Sequence, residues 1–158
     1  MNHLITCSLF IILTFQTFAQ SKKEVKAHKI KASMTTIIEN GKTINDAKTL
    51  FDAKGNEIEK TEYNKEGAIK SVHKFKYNSD GDELEDEQYD ATNKLVEKKI
   101  TKYNLLGEKT EEAYFDGLGK PTKKHTYVYD GKGLKTERKT LDADGKVISV
   151  KKHVYVTK

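Results

Sequence analysis

Imidazoles, carboxylates and phenols recur through this 158-residue sequence at intervals regular enough to suggest shared chemistry. Glu59, Glu85, Glu111 and Glu137 return every 26 residues, and His73 and His125 share one position two intervals apart. Rows of this kind could serve a metal-dependent or hydrolytic enzyme, which stands as the alternative to a binding role. Such an enzyme needs one deep cleft that drives two pKa values apart, and a repeated exposed row supplies no such asymmetry. If the intervening residues are strands about 4.8 Å apart, His73 and His125 lie roughly 19 Å from each other, too far to share a metal. His28 and His153 are the other two imidazoles after residue 19.

Asp52, Asp90, Asp116, Asp130 and Asp142 stand in turn-like tetrapeptides, and Asp142-Ala143-Asp144-Gly145 copies part of a calcium loop. The two end positions of that loop, where ligands are needed, hold Thr140 and Lys151. Asn78 to Glu87 is the densest acidic run; it reads as an acidic strand neutralised by Lys-rich neighbours. No Ser-His-Asp spacing, P-loop or dinucleotide fingerprint is present. The expectation is no catalytic residue, no metal ligand set and no cofactor.

The phenols are the stronger candidate. Tyr63, Tyr77, Tyr89, Tyr103 and Tyr129, with Tyr155 beyond them, form a row at intervals of 12, 14 or 26 residues. Exposed rings in a row suit the flat apolar faces of sugars, so these five are the candidate ligand-binding residues. The competing role is that each ring covers the turn beside it.

Positioning such rows requires a repeated element. An aromatic or Leu, then Asp or Asn, two variable residues and Gly, recurs from Phe51, Tyr63, Tyr77, Tyr89, Tyr103, Phe115, Tyr129 and Leu141, at spacings that alternate between 12 and 14. Ile37, with Gly41 in step, extends the series backward. Asp or Asn opens a type I turn by accepting a backbone hydrogen bond, and Gly closes it in left-handed backbone. The expected turn residues are Gly41, Gly55, Gly67, Gly81, Asn93, Gly107, Gly119, Gly133 and Gly145; Asn93 is the best non-glycine occupant of such a site. Between turns lie short segments rich in Thr, Val, Ile and Tyr with no helical period. The fold expected is all-β: an antiparallel meander of about ten strands built from 26-residue two-turn repeats, forming a twisted, largely single-layer sheet. An open or water-lined barrel is the alternative.

Pairing the first turn residue with the residue after Gly sets a register. It places Tyr63 opposite Ile69, Tyr89 opposite Leu95, Phe115 opposite Pro121 and Leu141 opposite Val147. Further out it places Glu59 opposite His73, Glu85 opposite Lys99, Glu111 opposite His125 and Glu137 opposite Lys151. In this register one face carries Tyr63, Glu57, Glu59, Thr61, His73 and Phe75, and the other carries Ile58, Lys60, Glu62, Lys70, Val72, Lys74 and Lys76. Neither face is dry.

Composition agrees with a thin structure. Charged residues make up 34% of the chain and there is no Trp. Only about a fifth of residues 20–158 are Leu, Ile, Val or Phe, the border below which chains fail to bury a core. Residues 1–19 contain no Lys, Arg, Asp or Glu and run apolar from Leu4 to Phe15 before Thr17-Phe18-Ala19. That segment reads as an export signal too short to span a bilayer. Residues 20–24 follow as a flexible start and 25–158 as the β-hairpin repeat domain. Cys7 is the sole cysteine and leaves with the signal, so no disulfide or thiol chemistry follows. No other stretch could cross a membrane, and the expected location is periplasmic or secreted.

The Tyr-Asp-x-x-Gly turn, with aromatics alternating into it at Phe75-Lys76-Tyr77 and Tyr127-Val128-Tyr129, resembles the YD (Rhs-type) repeats of bacterial secreted and surface proteins. The resemblance runs from Ile37 to Tyr155. It implies antiparallel strands in an extended sheet that acts as a scaffold, with carbohydrate binding in some members. The giant members enclose toxins, which a chain this short could not. The resulting expectation is a non-enzymatic exported repeat protein, a binding or scaffolding module at the bacterial envelope or exterior. Its partner would be a protein or glycan of the envelope, the net charge of +5 favouring anionic glycans. Nucleic acid does not fit, because Lys alternates with Glu instead of forming one stripe. A purely structural spacer is the remaining alternative.

Overall fold

The computed structural model describes residues 21–156. The signal-like segment 1–19 with Cys7 lies outside the described residues. Ten strands follow one another in a single antiparallel sheet, each paired only with its neighbours in sequence. They are β1 (Ala32–Glu39), β2 (Lys42–Phe51), β3 (Glu57–Tyr63), β4 (Ile69–Tyr77) and β5 (Glu83–Asp90), then β6 (Leu95–Tyr103), β7 (Lys109–Asp116), β8 (Pro121–Tyr129), β9 (Lys135–Asp142) and β10 (Val147–Lys152). β1 and β10 are free edges, so the sheet is an open meander and not a closed barrel.

Eight of the nine turns share one construction. The Oδ1 of Asp or Asn accepts from the backbone N–H two residues on and from the one four residues on. Asp52 does so from Lys54 and Asn56 at 2.8 and 2.9 Å, and Asp116 from Leu118 and Lys120 at 2.9 Å each. The same backbone N–H to carbonyl pair closes each loop. Left-handed backbone then appears at the fourth residue, with φ from +76 to +87° at the glycines and +64° at Asn93. The first turn differs. Position 38 is Ile and cannot accept, and Asn40-Gly41 instead form a two-residue turn with both φ values positive, the favoured hairpin solution for Asn-Gly.

The near-turn pairs match the sequence register: Tyr63 faces Ile69, Tyr89 Leu95, Phe115 Pro121 and Leu141 Val147. Further out the expected pairs are displaced by one. Glu59 faces Lys74, Glu85 faces Ile100, Glu111 faces Thr126 and Glu137 faces Lys152. The cause is a β-bulge at the second residue of the returning strand in each of these hairpins, where Lys70, Val96, Thr122 and Ile148 find no partner. The hairpins at the other end repeat it at Ile58, Leu84, Thr110 and Thr136. One extra residue sends every side chain beyond it to the other face. His73 and Phe75 therefore share a face with Lys60 and Glu62, while Val72 and Lys74 join Glu59 and Thr61. Where the bulge residue is Thr110, Thr122 or Thr136, its hydroxyl donates to a carbonyl of the facing strand at 3.2 Å.

Almost nothing apolar is buried. Among the described residues only Val25 and Ala47 are buried hydrophobics, whereas Thr49, Asn56, Thr61, Ser71, Thr101 and Glu112 are buried polar groups. Backbone pairing and polar side-chain bonds thus hold the sheet, each cross-strand pair adding about 0.2–1 kcal/mol.

Sequence periodicity gave no helix, yet α1 covers Lys22–Ala27. At six residues it is too short to show a period; its signal was Ser21-x-x-Glu24, a capping box in which each residue bonds the other's backbone N–H. Ser21 to Glu24, read as part of a flexible start, form its cap and first turn. It ends in a Schellman motif, with Ile30 N–H to the Val25 carbonyl at 3.0 Å and Lys29 N–H to the Lys26 carbonyl at 3.2 Å. Lys29 is the left-handed residue of that motif, at φ +53°.

Candidate functional site

One face of the sheet gathers most of the groups that could act on a ligand. The register places His73, Asp86, Lys99, Tyr114 and Lys123 on it, with Thr101, Glu112, His125, Arg138 and Thr140. Two polar clusters lie there. In the first, Lys99 Nζ sits 2.8 Å from Glu83 and 3.4 Å from Asp86, and Asp86 lies 3.0 Å from His73 Nδ1. The His73 ring stacks on Phe75 with centroids 6.0 Å apart. Burial opposes charge on Lys99, but the two carboxylates hold its ammonium well above the ordinary lysine range.

In the second cluster, Glu112 accepts from Lys109 Nζ at 2.6 Å and from the Tyr127 hydroxyl. Burial would raise the Glu112 pKa; these donors overcome it and hold the carboxyl below its usual range. Burial and Glu112 together push the Tyr127 phenol up. Tyr114 meets His125 edge-on at 5.4 Å, and His125 Nδ1 lies 3.1 Å from the Thr140 hydroxyl. Burial and the nearby Arg138 lower the His125 pKa, which leaves its ring neutral at pH 7. Lys123 Nζ stands 4.2 Å over the Tyr114 ring and Lys135 Nζ 4.5 Å over Tyr127. Arg138 Nε and Thr101 Oγ1 are buried polar atoms without a hydrogen-bond partner.

The opposite face is a belt of ion pairs. Lys98 bridges Glu85 and Glu87 at 2.9 and 3.1 Å, and Lys76 also reaches Glu85 at 2.8 Å. Glu111 pairs with Lys102 at 2.9 Å and Lys124 at 3.5 Å, and Glu137 with Lys139 at 3.3 Å. Hydrogen bonds from lysines lower the pKa of Glu85 and Glu111. Three members of the glutamate row are thereby paired, and two of them are held firmly ionised. Among the described residues, no group of three His, Cys, Asp or Glu is placed to hold a metal ion.

The tyrosines of the sequence row divide into two sets. Tyr77, Tyr103, Tyr129 and Tyr155 each donate their hydroxyl to the backbone carbonyl twenty residues earlier: Glu57, Glu83, Lys109 and Lys135, at 2.7 to 3.0 Å. Phe51 begins that series without a hydroxyl. Tyr89 instead donates to Glu87 at 2.8 Å, with Lys74 Nζ 4.9 Å above its ring, and Tyr63 is half-buried. The rings that stand with cations on the first face, Tyr114 and Tyr127, lie in strands one and two residues ahead of the motif residues Phe115 and Tyr129. The bulge decides which side they face, so the turn motif alone does not bring them together.

A concavity of about 570 Å³ lies beside α1. Val25, Ile30, Phe51 and Ala53 form its apolar wall, with Lys26, Lys29 and Lys31 around it. The Asp52 carboxylate there is already engaged by its own turn.

No protein-family model matches the chain, and no curated protein matches it. Among solved structures, a Bacteroides fragilis protein of unknown function is 15% identical with a TM-score of 0.44, the alignment covering 80% of this chain and 96% of that one. A DUF3836 family protein from Bacteroides vulgatus is 14% identical with a TM-score of 0.29, over 71% of this chain and 99% of that one. TarM is 20% identical with a TM-score of 0.30, over 80% of this chain but 22% of its own.

Proposed function

We propose that this chain is a non-enzymatic exported repeat protein of the YD-repeat kind, a binding or scaffolding module of the bacterial envelope or exterior. Its partner, a protein or glycan, engages the sheet face that carries Tyr114, Tyr127 and His125. The observation that supports this reading is the open single layer itself. With no second layer on the face among the described residues, rings on β7 and β8 stand beside Lys123, Lys135 and Arg138 where an extended partner could lie across several strands. Ring faces with adjacent cations suit an anionic sugar or an acidic peptide segment. Glycan-array and pull-down binding by the purified protein tests it: Tyr114→Ala and Lys123→Ala are expected to abolish binding while the far-UV spectrum is unchanged. Binding that survives both substitutions removes this face from the proposal.

The phenol-to-carbonyl bonds of Tyr77, Tyr103 and Tyr129 favour the spacer as a second reading, since they occupy in structure the hydroxyls that a ligand would otherwise use. A failure to bind any envelope glycan or protein, in a chain that remains fully folded, would select it.

A further inference from the structure

Among the described residues no element covers either edge of the sheet, and charge on the edge strands is confined to Glu39 at the end of β1 and to Lys151 and Lys152 at the end of β10. Charged side chains, proline or a covering element usually block an edge from pairing with another chain. β1 has seven consecutive uncharged residues, Ala32 to Ile38, and β10 has four, Val147 to Val150. Nearly every residue of both strands is exposed, including Ile38 at 73% and Ile148 at 61%. Two interior strands are far more charged: β5 carries five acids and β9 five ionisable groups.

The repeat dictates what fits there. The strand count is even, so β1 and β10 run in opposite directions, and a second copy set beside β10 with its β1 inward continues the antiparallel alternation. β10 is the repeat equivalent of β8, and β1 of β9. Carrying the β8–β9 register forward places Val150 opposite Ile37, and Lys151 opposite Thr36. Ser149 and Val150 then meet Ile38 and Ile37, Lys151 and Lys152 face Thr36 and Thr35, and no like charges face each other. β10 also ends early. β8, with a neighbour on each side, spans nine residues to Tyr129, whereas β10 spans six and stops at Lys152, three short of the equivalent Tyr155.

We propose that copies of this chain join head to tail, β10 of one pairing with β1 of the next, so that the sheet continues from molecule to molecule. This inference is independent of the partner-binding face. Because the two surfaces differ, the contact does not saturate at a dimer and gives rings or open arrays.

Sedimentation velocity over a concentration series tests it. The expected result is a ladder of species beyond the dimer, reduced to monomer by either Ile37→Lys or Val150→Lys, both at exposed positions, with an unchanged far-UV spectrum as the check on folding. Register is tested in a Cys7→Ser background. Ile37→Cys and Val150→Cys chains, mixed and oxidised, should form a disulfide between the two variants, and neither variant should crosslink alone. A monomer at all concentrations, or crosslinking of either variant with itself, overturns the proposal.

Discussion

The two turn-bearing ends of the sheet are built from the same tetrapeptide but are held differently. At the end with the Asp52–Gly55, Asn78–Gly81, Asn104–Gly107 and Asp130–Gly133 turns, Tyr77, Tyr103 and Tyr129 each hydrogen-bond a backbone carbonyl of an earlier strand. Here α1 also lies on the first turn, with Lys22 Nζ 3.5 Å from the Gly81 carbonyl. At the opposite end the same positions hold Ile37, Tyr63, Tyr89, Phe115 and Leu141, and no phenol there bonds a backbone carbonyl. Apart from the Asn40-Gly41 hairpin, both ends have the same turns and bulges, so those features alone do not require the stitching. In a sheet without an oily interior, added order comes one polar bond at a time, and the chain has placed it at one end.

Glycine substitution should break this contrast most strongly. A Cβ at Gly55 would stand 2.5 Å from the Lys22 carbonyl and 3.2 Å from the Lys26 amide, whereas at Gly67 it meets nothing within 4 Å. Left-handed backbone alone costs a β-branched residue about 1–3 kcal/mol. Gly67→Val should lose that much by chemical denaturation, and Gly55→Val more, with α1 released from the sheet. Equal losses would mean that the helix adds nothing to its end.

Acid comes next. The ion-pair belt lies nearest the phenol end, where Glu85 and Glu111 have lowered pKa values through their lysine bonds. A carboxylate depressed in the folded state contributes stability that is complete above its unfolded pKa, near 4.5, and is lost as pH falls through the folded value. Melting temperature should therefore hold down to about that pH and then drop, with amide exchange rising first in β5–β7. At the other end Glu62 is also depressed, by Lys60, so a smaller early loss is expected in β3–β4. Uniform loss would contradict the contrast.

Smaller effects sharpen it. Tyr103→Phe removes the bond to the Glu83 carbonyl and should cost about 1 kcal/mol, while Tyr63→Phe, at the equivalent position of the other end, should be neutral. Lys29→Gly relieves a non-glycine residue at φ +53° and should stabilise α1 by a few tenths of a kcal/mol, read as increased protection of the Ile30 amide. A loss there would show that the Lys29 side chain matters more than its backbone.

The strand order was legible in the sequence because a turn needing both an Asx acceptor and a left-handed residue leaves few alternatives at each of eight positions. The faces were not. Ile58, Lys70, Val96 and Thr122 have nothing in common as side chains, and a bulge that any residue can occupy leaves no mark in composition. That one omission reassigned His73 and Phe75 and hid the grouping of Tyr114, His125 and Arg138. The helix was missed for another reason. Its information lies in two residues, Ser21 and Glu24, and in the burial of Val25, which no periodic reading detects.

The scarcity of buried hydrocarbon has a calorimetric consequence. The heat-capacity increment of unfolding comes from hydrating apolar surface and is offset by newly wetted polar surface. A sheet that exposes few additional carbons on melting should therefore show a small increment for its length and a shallow stability curve. Its response to cooling should be as slight as its response to moderate warming.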